Sequence, residues 1–368
     1  MSEGSVGGTS YLGVEHENLS IEVTTRCNGS CLHCFARSGS VRRSSLPADL
    51  VKVIMAEAYG VGYRHLHITG GEPLLWEGLF EILDFGFSTG YETIFLNTNG
   101  TLVTEEMSRR LASYGPSFSM SISLDGPQDL HDRIRGNGSY RRAIQGIEKA
   151  LKGGNDLTIF TTVTRSLLPE LPRFVDGLYK EFPTIDCLVL IQLITVTSSP
   201  FALSEELLEP EDFVRLVRLV AFLNVGGLRA IVKKNPLANV VSKMLEMPWI
   251  RPVPPLFHDG CMVIMANRHV GAVHSSRHSF GRYRPGMIRK ALASDAYRRT
   301  VAPDEVTCPS CTYFSQCRVN GMVRPPQGYG DLHQDTPFCR RVLNSITSVQ
   351  PVPRGSRMYE RVCTKRLA

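Results

Sequence analysis

The stretch LSIEVTTRCNGSCLHC, residues 19–34, joins a strand-like run to three closely spaced cysteines. Its first seven residues are rich in β-branched and apolar side chains, which is typical of a strand. Cys27, Cys31 and Cys34 follow with the spacing C-x3-C-x2-C. A structural metal site usually has four protein ligands, so three thiolates indicate a site that keeps one coordination position open. A zinc site and a redox-active thiol site are the alternatives that this spacing leaves open.

Strand-like and helix-like segments alternate on both sides of these cysteines, from residue 18 to about 225. The predicted strands are LSIEVTT (19–25), HLHIT (65–69), TIFLNT (93–98), SMSISL (119–124), LTIFTTV (157–163) and CLVLIQLI (187–194). The predicted helices are PADLVKVIMAEAYG, EGLFEILDFGFS, TEEMSRRLASYG, SYRRAIQGIEKALKGG, LPELPRFVDGLYKEF and EPEDFVRLVRLVAFL. Six strand–helix units predict a parallel sheet with right-handed crossovers, and we expect it to curve into a partial, TIM-like (β/α)6 barrel. Chemistry in such folds lies at the carboxyl ends of strands, where the cysteines fall.

The remainder of the chain predicts a smaller, cysteine-rich C-terminal domain of the same α/β protein. NPLANVVSKMLEM reads as a helix with Pro236 in its first turn, and a Pro-rich linker follows. MVIMANRHVGAVHS predicts a hairpin that turns at Asn267-Arg268, and MIRKALASDAYRRTV predicts one helix. The expected segments are a flexible 1–17, a barrel core 18–235, a linker helix and Pro-rich linker 236–260, a small domain 261–345 and a basic tail 346–368.

Composition excludes several classes of protein. No window of the 368 residues reaches the roughly 18 consecutive apolar residues of a membrane span. No hydrophobic signal segment is visible near the amino terminus. The net charge of +6 is mild and the basic residues are scattered, so neither a nucleic acid nor a membrane is an expected partner. Ten cysteines with no sign of secretion favour metal ligation over disulfides, and the expected location is the cytoplasm.

The motifs beyond the first cysteines carry a resemblance to a known family. TGGEP follows the second predicted strand, NTNG follows the third, and SISLDGP with HDRIRG follows the fourth. Together with C-x3-C-x2-C, in which His33 precedes the last cysteine, this order resembles the radical S-adenosylmethionine (SAM) superfamily. The resemblance implies a 4Fe–4S cluster on the three cysteines whose unique iron binds SAM. It also implies reductive cleavage of SAM to a 5′-deoxyadenosyl radical, which abstracts a hydrogen atom from the substrate.

The same resemblance implies which residues bind SAM. Its amino group is expected at the GGE segment, where glycines let the backbone approach closely and a carboxylate suits an ammonium. Its carboxylate is expected at Ser123 and Arg135, because a guanidinium offers a bidentate fork. Asp125 is a further pocket residue, although an Asp-Gly turn is its simpler interpretation. The expected cofactor-binding residues are Gly70, Gly71, Glu72, Asn99, Ser123, Asp125, Arg135 and His33.

The C-terminal cysteines resemble the SPASM/twitch extension of this superfamily, which carries auxiliary iron–sulfur clusters. The ligands expected for one outer auxiliary 4Fe–4S cluster are Cys308, Cys311, Cys317 and Cys339. A four-cysteine zinc ribbon has the same spacing and remains open. Gly321 stands where a further ligand would be expected, so the inner auxiliary cluster is predicted to be absent. Cys261 is then a buried apolar residue or a thiol that returns a hydrogen atom to a substrate radical.

The substrate is the least determined part of the prediction. A peptide or protein that is crosslinked, oxidised or epimerised is the first hypothesis, and a small molecule such as a sugar, an aminocyclitol or a tetrapyrrole is the alternative. A non-catalytic iron–sulfur electron carrier is a third. Only about 18 residues precede the first strand, so we expect any peptide-recognition module on a separate protein. A flavodoxin or ferredoxin is the expected electron donor.

Overall fold

The computed structural model describes residues 18–34, 44–194, 203–253, 260–274, 279–301, 312–313, 317 and 336–348. Its strands are β1 (Asn18–Thr24), β2 (His65–Gly70), β3 (Thr93–Thr98), β4 (Phe118–Ser123), β5 (Leu157–Val163), β6 (Cys187–Gln192), β7 (Ala230–Lys233), β8 (Met262–Ile264), β9 (His269–Gly271) and β10 (Gly281–Arg282). Its helices are α1 (Ala48–Gly60), α2 (Leu79–Thr89), α3 (Glu105–Ala112), α4 (Gln128–Arg135), α5 (Ser139–Lys152), α6 (Leu167–Glu181), α7 (Pro210–Val225), α8 (Leu237–Met244), α9 (Met287–Leu292), α10 (Asp295–Val301) and α11 (Thr336–Ser348). None of the described helices is both long and apolar enough to cross a membrane.

One sheet contains all of these strands, in the order β10-β9-β8-β1-β2-β3-β4-β5-β6-β7. Strands β1 to β7 pair in parallel with their sequence neighbours, which confirms the predicted run of strand–helix units. The sequence reading missed β7, because its four residues AIVK are short and run directly into a second lysine. Parallel pairing brings the carboxyl ends of β1 to β7 to one edge of the sheet.

The two faces of the parallel strands differ in chemistry. Leu19, Ile21 and Val23 of β1 are fully buried in a large core against the helices. Ser20 and Glu22 alternate with them and therefore face the concave side of the sheet, which we call the lumen. Burial against the helices fixes this register, since a shift by one residue would exchange the two faces.

The C-terminal half contains the predicted hairpin, but its helices differ from the prediction. Strands β8 and β9 are antiparallel and turn at Asn267-Arg268, with Arg268 at φ 71°. Strand β8 also pairs in parallel with β1, so the hairpin continues the barrel sheet. The single helix predicted for 287–301 is two helices, because Ser294 accepts a hydrogen bond from the Tyr297 amide and starts α10.

Helices α4 and α11 have no counterpart among the predicted elements. Helix α11 packs on α7, where Arg341 forms an ion pair with Glu209 at 2.7 Å. The Ser345 hydroxyl donates a hydrogen bond to Glu211 at 2.9 Å. This docking joins the C-terminal part of the described chain to the barrel helices.

Candidate functional site

The three N-terminal cysteines form a loop directly after β1. An ideal Cβ on Gly29 would lie 3.7 Å from Cys27 Sγ and 3.7 Å from Cys31 Sγ, so both sulfurs face the same small space. Burial raises the pKa of Cys27 to about 11, and it also raises the pKa of Cys31, where the Arg135 charge acts in the opposite direction. Metal ligation requires thiolates, so binding of a metal group here must release protons. In the described part of the chain, no three His, Cys, Asp or Glu side chains are arranged to hold a single metal ion.

Asn99 attaches this cysteine loop to the turn after β3. Its Nδ2 donates a hydrogen bond to Asn28 Oδ1 at 2.8 Å and lies 4.0 Å from Cys27 Sγ. Its Oδ1 accepts from the Thr101 amide and hydroxyl, and Thr101 Oγ1 accepts from Asn28 Nδ2. The sequence reading named Asn99 but missed Asn28 and Thr101, which complete the network between two loops; Asn28 and Asn99 are 71 residues apart.

Glu72 is fully buried, and the protein itself satisfies its carboxylate. Oε1 accepts from Thr98 Oγ1 at 2.6 Å and from the Leu74 amide at 3.1 Å, while Oε2 accepts from the Asn99 amide at 2.8 Å. Burial raises the pKa of Glu72, and the amide of Asn99 and the hydroxyl of Thr98 act in the opposite direction. In this arrangement the Glu72 side chain positions the Asn99 turn, and its expected contact with the SAM ammonium stays a prediction.

Gly70 and Gly71 are required by the chain itself. A Cβ on Gly70, at φ +145°, would lie 2.4 Å from the Thr24 carbonyl oxygen, and one on Gly71 would lie 2.2 Å from that of Arg26. The Gly71 and Glu72 amides donate to the same two carbonyls, at 2.6 and 2.8 Å. These glycines bring the end of β2 against the start of the cysteine loop, whereas the sequence reading attributed them to approach of a ligand.

Asp125, Arg135 and His33 meet beside the cysteines. Arg135 Nε donates to Asp125 Oδ2 at 2.5 Å, and His33 Nε2 lies 3.4 Å from the same oxygen. Asp125 is fully buried, and its Oδ1 accepts from the Thr162 amide at 2.8 Å. Burial alone would raise the pKa of Asp125, but the Arg135 charge, helped by His33, lowers it to about 2. The Asp125 carboxylate is therefore ionised and holds the guanidinium in place.

His33 and Ser123 complete the predicted set. Burial lowers the pKa of His33 to about 4, and its buried Nδ1 has no hydrogen-bond partner among the described residues. Ser123 ends β4 and is half-buried. Sequence reasoning missed His131, whose Nδ1 accepts a hydrogen bond from the Asp125 amide at 3.0 Å. The structure thus gathers the predicted N-terminal site residues along the carboxyl ends of β1 to β4.

The C-terminal cysteines are described only in part. Cys308 and Cys311 lie outside the described residues, while Cys317 and Cys339 are half-buried and pack against the main core. Met262 pairs with Leu19, so Cys261 lies level with Asn18 at the amino end of β1. Gly260 accepts a hydrogen bond from Tyr63, which precedes β2 at that same end. Cys261 is therefore separated from the cysteine loop by the length of a strand, and its position lends no support to a hydrogen-donor role.

A polar cluster occupies the lumen. His274, after β9, places Nδ1 2.9 Å from Glu22 Oε1. The His274 and His67 rings meet edge to face with centres 5.8 Å apart, and His67 packs on Phe95 at 5.6 Å. Phe95 packs on Phe160 at 5.7 Å. Sequence reasoning did not bring these residues together, because Glu22 and His274 are 252 residues apart.

The sequence around this site matches a known protein family. Residues 21–173 match the radical SAM superfamily, and the matched stretch contains the cysteine loop, Glu72, Asp125 and Arg135. These residues of the chain form a radical SAM domain. Members of this superfamily use a 4Fe–4S cluster and SAM, and those of the SPASM type carry auxiliary clusters as well.

Two kinds of named relative appear among similar sequences. The AdoMet-dependent heme synthase of Methanosarcina barkeri is 36% identical over 155 residues, which are 41% of this chain and 44% of that protein. The Fe-coproporphyrin III synthase of the same organism is 23% identical over 86% of both chains. The mycofactocin maturase MftC of Mycolicibacterium smegmatis is 30% identical over 42% of this chain and 40% of its own. The chain thus spans less than half the length of the first and third of these relatives.

Solved structures share the fold over nearly the whole chain. The structure of anSMEcpe with bound AdoMet superposes with a TM-score of 0.71 at 16% identity, covering 94% of this chain and 97% of that one. Streptococcus suis SuiB bound to its precursor peptide SuiA gives a TM-score of 0.65 at 18% identity, covering 87% and 76%. This agreement confirms the predicted α/β fold with a partial barrel.

Proposed function

We propose that this chain is a radical SAM enzyme that reductively cleaves SAM and abstracts a hydrogen atom from a substrate bound in the lumen. The observation that carries the proposal is the meeting of three half-buried cysteines with the Asp125–Arg135 pair at the carboxyl ends of the strands. When bound, the cluster and SAM supply the radical chemistry.

The residues present suit these two groups. Three clustered thiols, with no further cysteine before Cys187 in the sequence, fit a cubane that keeps one iron open to SAM. Among the described residues, Arg135 contacts Asp125 through Nε and His33 through Nη2, and we propose that Nη1 binds the SAM carboxylate together with Ser123. The ionised Asp125 keeps the guanidinium oriented toward the cysteine loop, and Glu72 holds the Asn99 turn that supports the same loop. The GGE segment, with the Glu72 carboxylate and its backbone carbonyls, supplies the acceptors that we propose for the SAM ammonium.

Two substrate classes have support. A peptide or protein, as first predicted from the sequence, is favoured by the similarity to the mycofactocin maturase and by the shared fold with a structure that holds a precursor peptide. A tetrapyrrole is favoured by one specific observation: the relative aligned over 86% of both chains is named an Fe-coproporphyrin III synthase. In either case an external donor such as a flavodoxin or ferredoxin would supply the electron.

The outer auxiliary cluster remains part of the proposal. Cys339 and Cys317 are the described members of its four proposed ligands, and the docking of α11 on α7 would hold this cluster beside the barrel. Iron analysis distinguishes it from the zinc alternative: Cys339→Ala should lower the iron content of the reconstituted protein by one cluster and leave its zinc content unchanged. Loss of zinc instead of iron would reject the auxiliary cluster.

The test of the main proposal is anaerobic reconstitution followed by reduction with dithionite in the presence of SAM. The wild-type protein should release 5′-deoxyadenosine, and Cys27→Ala should lose both this product and the iron of one cluster. Cys187→Ala is the matched control, because this buried cysteine lies at the amino end of β6, away from the loop. Zinc in place of iron at the N-terminal trio, or equal product from the two variants, would refute the proposal.

A further inference from the structure

A carboxamide on β3 faces the lumen and remains partly accessible there. Ile94 and Leu96 are fully buried against the helices, so Phe95 and Asn97, which alternate with them, face the concave side of the sheet. Phe95 is buried, whereas Asn97 is only half-buried although it lies in a central strand. Open space in the lumen therefore adjoins the Asn97 side chain.

The neighbouring strand fixes the orientation of this carboxamide. Asn97 pairs directly with Ser121 of β4, and the buried Ser121 hydroxyl donates a hydrogen bond to Asn97 Oδ1 at 2.5 Å. Burial lowers the pKa of His67, and a hydrogen bond with Asn97 acts in the opposite direction. The amide nitrogen of an asparagine carries two N–H donors, so it can serve a neighbouring side chain and a ligand at once. With its oxygen held by Ser121, Asn97 presents a donor to the lumen.

Apolar side chains border Asn97 across β4. The lumen-facing residues of β4 are all small, namely Ser119, Ser121 and Ser123. The Phe95 and Phe160 rings therefore meet above this strand, with their centres 5.7 Å apart. Phe160 and Ile191 are half-buried and pack on a small apolar cluster that is separate from the main core and consists of Cys187, Val189 and Ile231. This part of the lumen thus combines a neutral donor with an accessible apolar wall.

The same part of the lumen lies next to the proposed SAM site. Asn99 follows Asn97 by two residues, and its Nδ2 lies 4.0 Å from Cys27 Sγ in the cysteine loop. Two residues of an extended strand span about 6–7 Å. Ser123, a proposed ligand of the SAM carboxylate, likewise follows Ser121 by two residues. A group bound at Asn97 would therefore lie one layer of side chains deeper in the lumen than SAM.

We propose that Asn97 determines substrate specificity: its Nδ2 donates a hydrogen bond to a neutral carbonyl of the substrate, and Phe160 and Ile191 contact the apolar side chain beside that carbonyl. The proposal rests on the proposed function for placing the substrate in the lumen, and it narrows the substrate to a peptide, whose main-chain amides and apolar side chains present both features. A neutral donor suits a carbonyl better than a carboxylate, because removing water from a charge costs far more. Lys233 Nζ lies 5.7 Å from the centre of the Phe160 ring, so carboxylate probes belong in the test.

The test measures peptide binding by equilibrium dialysis against the anaerobically reconstituted protein without reductant, so that no turnover occurs. The probe is radiolabelled Ala-Leu-Ala, acetylated and amidated so that it carries no charge. Asn97→Leu should raise its dissociation constant about three- to tenfold, as expected for the loss of one hydrogen bond. Asn97→Asp keeps the size of the side chain but replaces the donor by an acceptor, so it should weaken binding at least as much. Equal dissociation constants for wild type and Asn97→Leu, or no measurable binding to the wild type, would overturn the proposal.

Matched variants separate binding from folding. Gln145→Leu also exchanges a carboxamide for a leucine, but on the exposed face of α5, and should bind the probe like the wild type. If Asn97→Leu disrupts the fold, Asn97→Asp still decides: unchanged binding by the folded aspartate variant contradicts the hydrogen bond. For the apolar wall, the wild type should prefer Ala-Leu-Ala over blocked Ala-Ala-Ala, and Ile191→Ala should reduce this preference. A preference that persists in Ile191→Ala would contradict the contact with Ile191.

Two carboxylate probes test the choice of a neutral peptide. Blocked Ala-Glu-Ala carries an acidic side chain, and Fe-coproporphyrin III carries propionates. Tighter binding of either probe than of Ala-Leu-Ala, with a larger loss of affinity in Asn97→Leu, would reject the neutral carbonyl. Release of 5′-deoxyadenosine under reducing conditions is scored separately. SAM cleavage together with peptide binding that ignores Asn97 refutes this inference alone, and peptide binding that depends on Asn97 without SAM cleavage refutes only the proposed function.

Discussion

Gly146, in the interior of α5, controls how closely this helix approaches the turn that supports the cysteine loop. A Cβ at Gly146 would lie 2.1 Å from the Gly100 carbonyl oxygen, whereas ordinary contacts begin near 3.4 Å. Gly146→Ala must therefore open a gap of about 1.3 Å between two backbones, which no side-chain rotation can relieve. Such overpacking costs about 1–3 kcal/mol, against about 1 kcal/mol gained from helix propensity.

Gly177 is the matched control. It also lies inside a helix, α6, but it is exposed and a Cβ there would meet nothing within 4 Å. Gly177→Ala should therefore gain about 1 kcal/mol, so the two variants should differ in unfolding free energy by about 1–3 kcal/mol. At about 2–4 °C per kcal/mol, anaerobic thermal melts at one scan rate should place Gly146→Ala several degrees below Gly177→Ala.

A functional consequence accompanies the difference in stability. Gly100, at φ +77°, follows Asn99 directly, so displacing it should loosen the contact between Asn99 and Asn28. Gly146→Ala should therefore release cluster iron to a chelator faster than Gly177→Ala does. If the melting temperature of Gly146→Ala equals or exceeds that of Gly177→Ala, α5 does not approach this turn as closely as described.

Further predictions concern the Asp125–Arg135 pair and the Asn99 turn. The ionised Asp125 contributes about 2 kcal/mol to the free energy of unfolding, because its pKa of about 2 lies below the ordinary 3.8. This contribution is complete above about pH 4 and is lost as the pH falls toward 2. Asp125→Asn should thus lower the free energy of unfolding in urea at pH 7, and its deficit should shrink on acidification; a pH-independent deficit would contradict this. Asn99→Ala should shorten the lifetime of the cluster toward a chelator, whereas Asn224→Ala, which loses hydrogen bonds to Ala230 and Trp249, should not.

Patterns that repeat locally made much of the fold predictable. Strand and helix periodicity located β1 to β6 and their helices, since each buries one face against a common core. Strand β7 is too short for that signal. Helix α4 is short, begins at Gln128 without any side-chain cap, and contains only Leu130 and Ile134 as apolar residues, so it gave little signal in the sequence. The sequence also could not predict strand register. The pairing of β8 with β1 shows that Cys261 lies at the amino end of the barrel.

The candidate site was likewise predictable only in part. Motif order brought Cys27, Asn99 and Arg135 to one edge of the sheet, because parallel strands align their carboxyl ends. The motif did not show what each side chain contacts. The Glu72 carboxylate accepts hydrogen bonds from three donors of the protein, and these contacts depend on the packing of β3 against the turn after β2. The lumen cluster joins residues from β1 and from the segment after β9, and no local pattern encodes so distant a contact.

The buried carboxylates and the cysteines depend on one another electrostatically. Burial opposes ionisation of Cys31, and the Arg135 charge is the main influence in the opposite direction. A guanidinium in so enclosed a place needs a fixed counter-charge, and Asp125 provides it while remaining ionised. Removing Asp125 would therefore loosen the orientation of Arg135, whose charge lowers the pKa of Cys31, and would also remove a carboxylate whose charge raises that pKa. The Asp-Gly turn, whose simplest interpretation from sequence was structural, is thus coupled electrostatically to the cysteine loop through Arg135.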